Sequence, residues 1–276
     1  MDRISKALER AKQNVKDTGN SVDARNVGGV RKKSKDVVPS QPINYSTTRQ
    51  ISLSPELLRE NRIFTRGADS SIIDTYGLLR TRVLSIMRKN NWKTLGVTGP
   101  EPSVGKTVTS INLAISIAFD HNYSTLLVDT DLRRPGIASA LGMNVETGLS
   151  DFLLDKSSLD ETLVNPGIEH LVIAPTKHVP SHSSELLSSP RMSHFIDEAK
   201  TRYSERLVIF DLPPVLVGDD VVALSHNLDA ILLVVADGKT QSRELSRALE
   251  LLRDSNILGV VLNMGTVANN QYEYYK

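Results

Sequence analysis

Leu126-Leu-Val-Asp-Thr-Asp-Leu-Arg-Arg-Pro135 is the stretch on which the fold turns. Its apolar start is the signature of a buried strand, and the strand ends in two carboxylates one residue apart. Side chains along a strand alternate faces with a period of two, so Asp129 and Asp131 project to the same side at its C-terminal end. Two like charges held that close repel, and such a pair calls for a cation nearby. Ligands of open α/β sheets also bind beyond the carboxyl ends of the strands. In isolation, an Asp-x-Asp of this kind is often no more than a pair of solvated acids. The surrounding sequence decides which reading holds.

Upstream lies Thr98-Gly-Pro-Glu-Pro-Ser-Val-Gly-Lys-Thr107, preceded by the apolar run Thr94–Val97 and followed by an apolar helical pattern over Gly105–Phe119. A phosphate-binding loop needs backbone N–H groups curled around the anion and a helix N-terminus behind them. It also needs a lysine for the terminal phosphates and a hydroxyl for magnesium. Gly105, Lys106 and Thr107 supply the last part in register. The strict spacing G-x-x-x-x-G-K-[ST] fails, because Pro100 stands where its first glycine belongs and Gly99 comes one place early. The strand-loop-helix context carries the assignment instead, with Pro102, Ser103, Val104, Gly105, Lys106, Thr107 and Val108 as the nucleotide-binding stretch. Leu207-Val-Ile-Phe-Asp211 followed by Leu-Pro-Pro214 is a third buried strand ending in an acid, the arrangement in which an aspartate holds magnesium.

Around these motifs the pattern alternates. Strands are expected at 94–97, 125–129, 171–174, 207–211, 230–236 and 259–263. Helices are expected at 70–88, 105–119, 190–203, 219–225 and 241–254, the first with an apolar stripe of Ile72, Ile73, Tyr76, Leu79, Val83 and Met87. Short strands apolar on both faces, alternating with helices, predict an α/β P-loop NTPase fold: a mostly parallel sheet flanked by helices on both faces.

The 276 residues, 39% of them hydrophobic, suffice for one substantial core with extensions. The absence of cysteine excludes disulfides and thiolate metal sites and fits a reducing, cytoplasmic setting. No apolar run approaches the ~18 residues of a membrane span. The formal net charge of +1 hides an asymmetry: residues 1–50 carry 11 Lys and Arg against 5 Asp and Glu, while the remainder is mildly acidic. Residues 1–16 read as an amphipathic helix with Ile4, Leu8, Ala11 and Val15 on one face, either frayed or docking to a partner. Residues 17–50 are polar and Pro/Gly-punctuated, with the basic cluster Arg31-Lys-Lys-Ser-Lys35, and read as a flexible linker. The catalytic domain is placed at 51–268 and a tyrosine-rich tail at 269–276, where Gln271-Tyr-Glu-Tyr-Tyr-Lys276 holds three of the seven tyrosines.

The combination of Gly-Lys-Thr107, Val128-Asp-Thr-Asp-Leu-Arg-Arg-Pro135 and Phe210-Asp-Leu-Pro-Pro-Val215 resembles the bacterial tyrosine kinases of exopolysaccharide and capsule synthesis. These are P-loop ATPases with an additional acidic strand. The resemblance spans about residues 52–276 and includes Ser184-Glu-Leu-Leu-Ser-Ser-Pro190. Asp2-Arg-Ile-Ser-Lys-Ala-Leu-Glu-Arg10 and the region 51–82 resemble the soluble autokinases encoded with exosortase-type or chain-length-determinant systems. The resemblance implies ATP and Mg²⁺ as cofactors and Tyr272, Tyr274 and Tyr275 as phosphoacceptors. It implies Lys106 on the phosphates, and Thr107, Asp131 and Asp211 around magnesium. Asp129 would stand beside the γ-phosphate, Arg133 near the phosphates, and Asn263 against adenine. It further implies a membrane activator on a separate chain, self-association, a cognate tyrosine phosphatase and no nucleic acid. The place of action would be the cytoplasmic face of the cell membrane. The family's ring-forming helix pattern, E-x-x-R-x-x-R, falls here on Asp74, Gly77 and Arg80, so its first arginine is missing.

Two other readings compete. The partition and division-site ATPases share the acidic strand but carry a lysine five residues before the P-loop lysine, a position held here by Glu101. A carboxylate cannot stand in for an ammonium against a triphosphate. A catalytically weak ATP-binding scaffold of a polysaccharide export system is the remaining alternative.

Overall fold

The central strands have no solvent face. The computed structural model describes residues 49–65, 70–179, 181–202 and 205–265, all within one compact unit, Ile43–Lys276. Strands β2 (Thr94–Thr98), β3 (Ser124–Asp129), β6 (Arg206–Asp211) and β7 (Ala230–Ala236) are buried at every position. With β1 (Arg49–Gln50), β4 (Val164–Asn165), β5 (Leu171–Ala174) and β8 (Ile257–Asn263) they form an eight-stranded sheet in the order β1-β4-β5-β3-β6-β2-β7-β8. Every pairing is parallel except β4 with β5.

Alternation along each strand divides the core in two. Leu95, Val97, Leu127, Ile209, Leu232 and Val234 face helix α3 (Lys106–Ala118) and, beyond it, α2 (Ser70–Lys89). Leu126, Val128, Val208, Phe210, Ile231 and Leu233 face the other way. Against them lie α8 (Pro190–Thr201), α9 (Asp220–Ser225) and α10 (Ser242–Leu251). The helices fit between strands in chain order with α1 (Pro55–Glu60), α4 (Ile137–Leu141), α5 (Leu149–Leu153), α6 (Leu159–Thr162) and α7 (Ser183–Leu187). Residues at the parity of Leu127 and Ile209 include Asp129 and Asp211, so both carboxylates emerge on the α3 side.

Helix α3 is buried nearly all round, and its buried Ser110, Asn112 and Ser116 have side-chain partners. Asn112 accepts the Phe64 amide through Oδ1 (3.1 Å) and donates through Nδ2 to the Arg62 carbonyl (2.9 Å). Ser116 donates to the Tyr76 carbonyl (3.2 Å), and Arg80 donates to the Ser116 carbonyl (2.9 Å). These bonds fix the segment before β2 to the core, in a region where an unpartnered polar group would cost about 1–3 kcal/mol.

The six expected strands and five expected helices are all present, within a few residues at their ends. Four differences are physical. Arg49 and Gln50, placed in the linker by composition, pair with Val164 and Asn165. Strands β1 and β4 are two residues each, too short for any periodicity to register. The four- to six-residue helices α1 and α4–α7 fall below the window that reveals a 3.6-residue repeat. Ile72, assigned to the apolar stripe of α2, is 41% exposed, whereas Val83 and Met87 of the same stripe are buried. The expected N-terminal helix, nearly all of the linker, and Tyr272, Tyr274 and Tyr275 lie outside the described residues. Among the described residues no helix is long and apolar enough to cross a membrane.

Gly96 shows how tightly the sheet is packed: a Cβ there would lie 2.6 Å from Leu212 Cδ1, 2.7 Å from Ile231 Cδ1 and 2.9 Å from Leu228 Cδ1. Overpacking of this kind costs about 1–3 kcal/mol. Gly96→Val should therefore lower the free energy of unfolding by about 1–3 kcal/mol, read as a lower urea midpoint with the slope unchanged.

Candidate active site

Parallel register places the acids side by side. Asp129 and Asp211 are direct partners across β3 and β6, and Asp211 is the partner of Val97 on β2. The α3 N-terminus comes down onto this edge because β2 feeds α3 directly through the loop 99–105. Thr107 Oγ1 donates to Asp211 Oδ2 (2.7 Å), and Ser110 Oγ lies 2.9 Å from Asp211 Oδ1 and 3.0 Å from the Lys106 carbonyl. Asp129 Oδ2 accepts the amides of Gly136 (3.1 Å) and Ile137 (3.0 Å), and its Oδ1 accepts that of Asp131 (3.2 Å). Asp131 in turn accepts the Arg134 amide (2.9 Å).

The loop has the shape of an anion cradle. Ser103 (φ 59°) and Gly105 (φ 88°) adopt left-handed backbone conformations, and a Cβ at Gly99 would collide with the Val234 carbonyl. Lys239 Nζ takes the carbonyls of Pro102 (3.0 Å) and Ser103 (3.2 Å). In trans peptides the next amide points opposite to each carbonyl, so the N–H groups of Ser103 and Val104 face inward. Asn263, at the end of β8, donates Nδ2 to the Val104 carbonyl (2.9 Å) and lies against the bare Cα of Gly105, where a Cβ would collide with it. Pro100 stands in place of the usual glycine, and its carbonyl accepts the Leu216 amide (3.1 Å) from the segment after β6.

The electrostatics fit a cation site. Burial, and next the charge of Asp211, push Asp129 well above the ordinary carboxylate range. Burial raises Asp211 to about 6, against the pull of Thr107, Ser110 and Lys106. Asp131 is raised by burial as well, and burial lowers Lys106. Adjacent oxygens of an octahedral Mg²⁺ shell of 2.0–2.1 Å radius are about 2.9 Å apart. The 2.7 Å between Thr107 Oγ1 and Asp211 Oδ2 matches that bite. The residues present therefore fit a hard, oxygen-ligated cation beside a phosphate.

Lys106, Thr107, Asp129, Asp131 and Asp211 thus share one edge with Pro102, Ser103, Val104, Gly105, Val108 and Asn263. Arg133 is turned elsewhere: its Nε lies 3.0 Å from Asp220 Oδ2 and 2.7 Å from Ser183 Oγ, with Asp219 at 3.7 Å. Reading the sequence missed three participants. Ser110 was legible as one helical turn beyond Lys106. Lys239 and Asp220 were not, since 136 residues separate Lys239 from Ser103. Asp220 is buried, raises Asp131 by its charge, and keeps Oδ1 without a hydrogen-bond partner.

A fold of this topology with a phosphate cradle and paired acids defines a P-loop phosphotransferase or ATPase. Residues 93–252 match the family described as AAA domain. The chain is 32% identical over 205 residues to tyrosine-protein kinase YwqD of Bacillus subtilis, covering 73% of this chain and 85% of that one. It is also 32% identical over 211 residues to tyrosine-protein kinase Etk of Escherichia coli, covering 75% of this chain but only 28% of Etk. The solved kinase domain of Etk superposes with a TM-score of 0.69 at 29% identity, over 83% of this chain and 94% of that domain. This chain belongs to the bacterial tyrosine kinase family.

Two outcomes follow. Folding takes protons onto Asp211 that the unfolded chain releases near 3.8, so the cation-free fold loses stability as pH rises from there through about 6. Asp211→Asn lacks this loss. Its thermal stability relative to the parent should rise between about pH 4 and pH 6 and level off above, by at most about 1.4 kcal/mol per pH unit. The stabilisation that MgCl₂ gives the parent should vanish in the variant. Separately, Lys239→Ala should leave the fold intact and weaken nucleotide binding by about tenfold or less, read by fluorescent-nucleotide titration.

Proposed function

We propose that this protein is an ATP- and Mg²⁺-dependent protein-tyrosine kinase that phosphorylates its own C-terminal tyrosines, Tyr272, Tyr274 and Tyr275, between subunits. The observation that carries the reading is the convergence of Lys106, Thr107, Asp129, Asp131 and Asp211 on one sheet edge. Phosphoryl transfer asks mainly for positioning and neutralisation of charge.

Lys106 and the inward amides of the loop hold the β- and γ-phosphates, and their positive character offsets charge on the oxygens in transfer. Thr107, Asp131 and Asp211 would hold magnesium, which would supply neutralisation of the phosphate charge. Asp129 receives the proton from the tyrosine hydroxyl. The new bond forms between that oxygen and the γ-phosphorus while the bond to the β,γ-bridging oxygen breaks, and ADP departs with its electron pair. The raised proton affinity of Asp129 suits it to this exchange. Asn263, with Nδ2 committed to Val104, offers its carbonyl oxygen to the base. Arg133 serves by holding Asp220 next to Asp131, or by swinging to the phosphates once substrate is present.

The biological role we assign is control of exopolysaccharide or capsule synthesis and chain length. The part of Etk that this chain matches is 28% of that protein, and the partner this reading assigns is a membrane activator. The kinase would work in the cytoplasm, drawn to the inner face of the cell membrane by that partner, as a homo-oligomer reversed by a tyrosine phosphatase. A partition-type mechanism is disfavoured at Glu101. Its carboxylate accepts a hydrogen bond from Thr240 (3.1 Å), so the position is built into the loop's support.

The test is to incubate the purified protein with ATP and MgCl₂, with and without the activator's cytosolic segment, and to map phosphate by mass spectrometry. Phosphate is expected on the three tail tyrosines, and Lys106→Met should abolish it together with nucleotide binding. Unmodified tyrosines with nucleotide binding retained would establish the scaffold reading instead. Phosphorylation surviving in Lys106→Met would displace the site from this loop.

A further inference from the structure

At the end of the sheet opposite the phosphate loop, two turns bring together residues that the kinase chemistry leaves unused. His121 lies in the turn between α3 and β3. Glu169 and His170 close the connection between β4 and β5. One ligand atom from each of the three side chains falls within 4.8 Å of the others. The two imidazoles meet edge to face, with centroids 5.7 Å apart.

Both turns are braced by hydrogen bonds. In the first, the Asn122 amide donates to Asp120 Oδ1 (3.2 Å) and the Tyr123 amide to the Asp120 carbonyl (2.9 Å). In the second, the Gly167 amide donates to Asn165 Oδ1 (2.8 Å), and the His170 carbonyl accepts the Thr125 amide of β3 (2.7 Å). The backbones carrying the three ligands are thus tied to adjacent strands, β3 and β5. His170 sits at φ 63°, a left-handed conformation that glycine or asparagine takes more readily. Its side chain is not the choice the backbone alone would make.

From this arrangement we propose that His121, Glu169 and His170 form a binding site for a divalent transition ion of the Zn²⁺ type. Two imidazoles and one carboxylate are the donor set of an open four-coordinate zinc site, with water in the last position. Ligand atoms of a tetrahedral ion with bonds of 2.0–2.1 Å stand about 3.3 Å apart. The side chains are exposed or half-buried, so an ion can reach them from solvent. A bound ion would pin the C-terminal end of α3, the helix whose other end bears Lys106, to the β4–β5 turn.

Calorimetric titration of ZnCl₂ into the full chain tests the site, with excess MgCl₂ present to occupy the oxygen site at the other sheet end. One Zn²⁺ per chain is expected. His121→Ala and His170→Asn should each weaken binding by roughly tenfold or more, the asparagine suiting the left-handed backbone. Zn²⁺ should raise the thermal midpoint of the parent and not of the variants. Nucleotide binding should be the same in all three proteins, which separates this site from the kinase reading. A parent that takes up no Zn²⁺ would overturn the proposal. So would variants that bind it like the parent, which would place the ion elsewhere, for instance at His182 and Glu185, 3.4 Å apart.

Discussion

The pairing of Asp129 with Asp211 across β3 and β6 is the constraint around which the rest is arranged. Two carboxylates buried side by side cannot both keep their charge without compensation, since burial and mutual repulsion both favour protons on them. The protein does not neutralise them with a buried ion pair. It surrounds them with neutral donors, three amides on Asp129 and two hydroxyls on Asp211, with the buried Lys106 nearby. The fold tolerates the pair when it is protonated, and a divalent cation suits the pair when it is not. Such a site is poised rather than satisfied.

That edge could be read from sequence because its geometry follows from local rules. A strand's period of two puts Asp129 and Asp131 on one face, and a hydroxyl and lysine at the start of a helix follow the preceding strand without a gap. What escaped was set by contacts distant along the chain. Lys239 reaches the loop from the segment after β7 and has no local signature, whereas Asn263, on the last strand, was named through the family resemblance but without its bond to Val104. Arg133, expected near the phosphates, has phosphate-site residues as its neighbours in sequence, while its partners in this structure, Ser183 and Asp220, come from α7 and α9. The short strands β1 and β4 left no periodic trace, and a polar composition concealed the pairing of Arg49 and Gln50.

Helix α2 illustrates how one residue type can serve two purposes. Gly77, where the family pattern has an arginine, would present any side chain to open space. Arg80, the surviving arginine, is already engaged with the Ser116 carbonyl of α3 in its own subunit. The face of α2 that other family members devote to neighbours is here divided between an empty position and an internal brace.

The bond from Asn263 to Val104 joins the nucleotide loop to the outermost strand of the sheet. Among the described residues strand β8 pairs only with β7, and Val260 and Leu262 on it are about half exposed or more. Edge strands open more readily than central ones. Opening of β8 would take Asn263 away from Val104 and let the loop relax, while anything that clamps the edge would stiffen the loop from outside. The margin of the sheet thus acts as a lever on the phosphate cradle, moved by events that never touch the nucleotide.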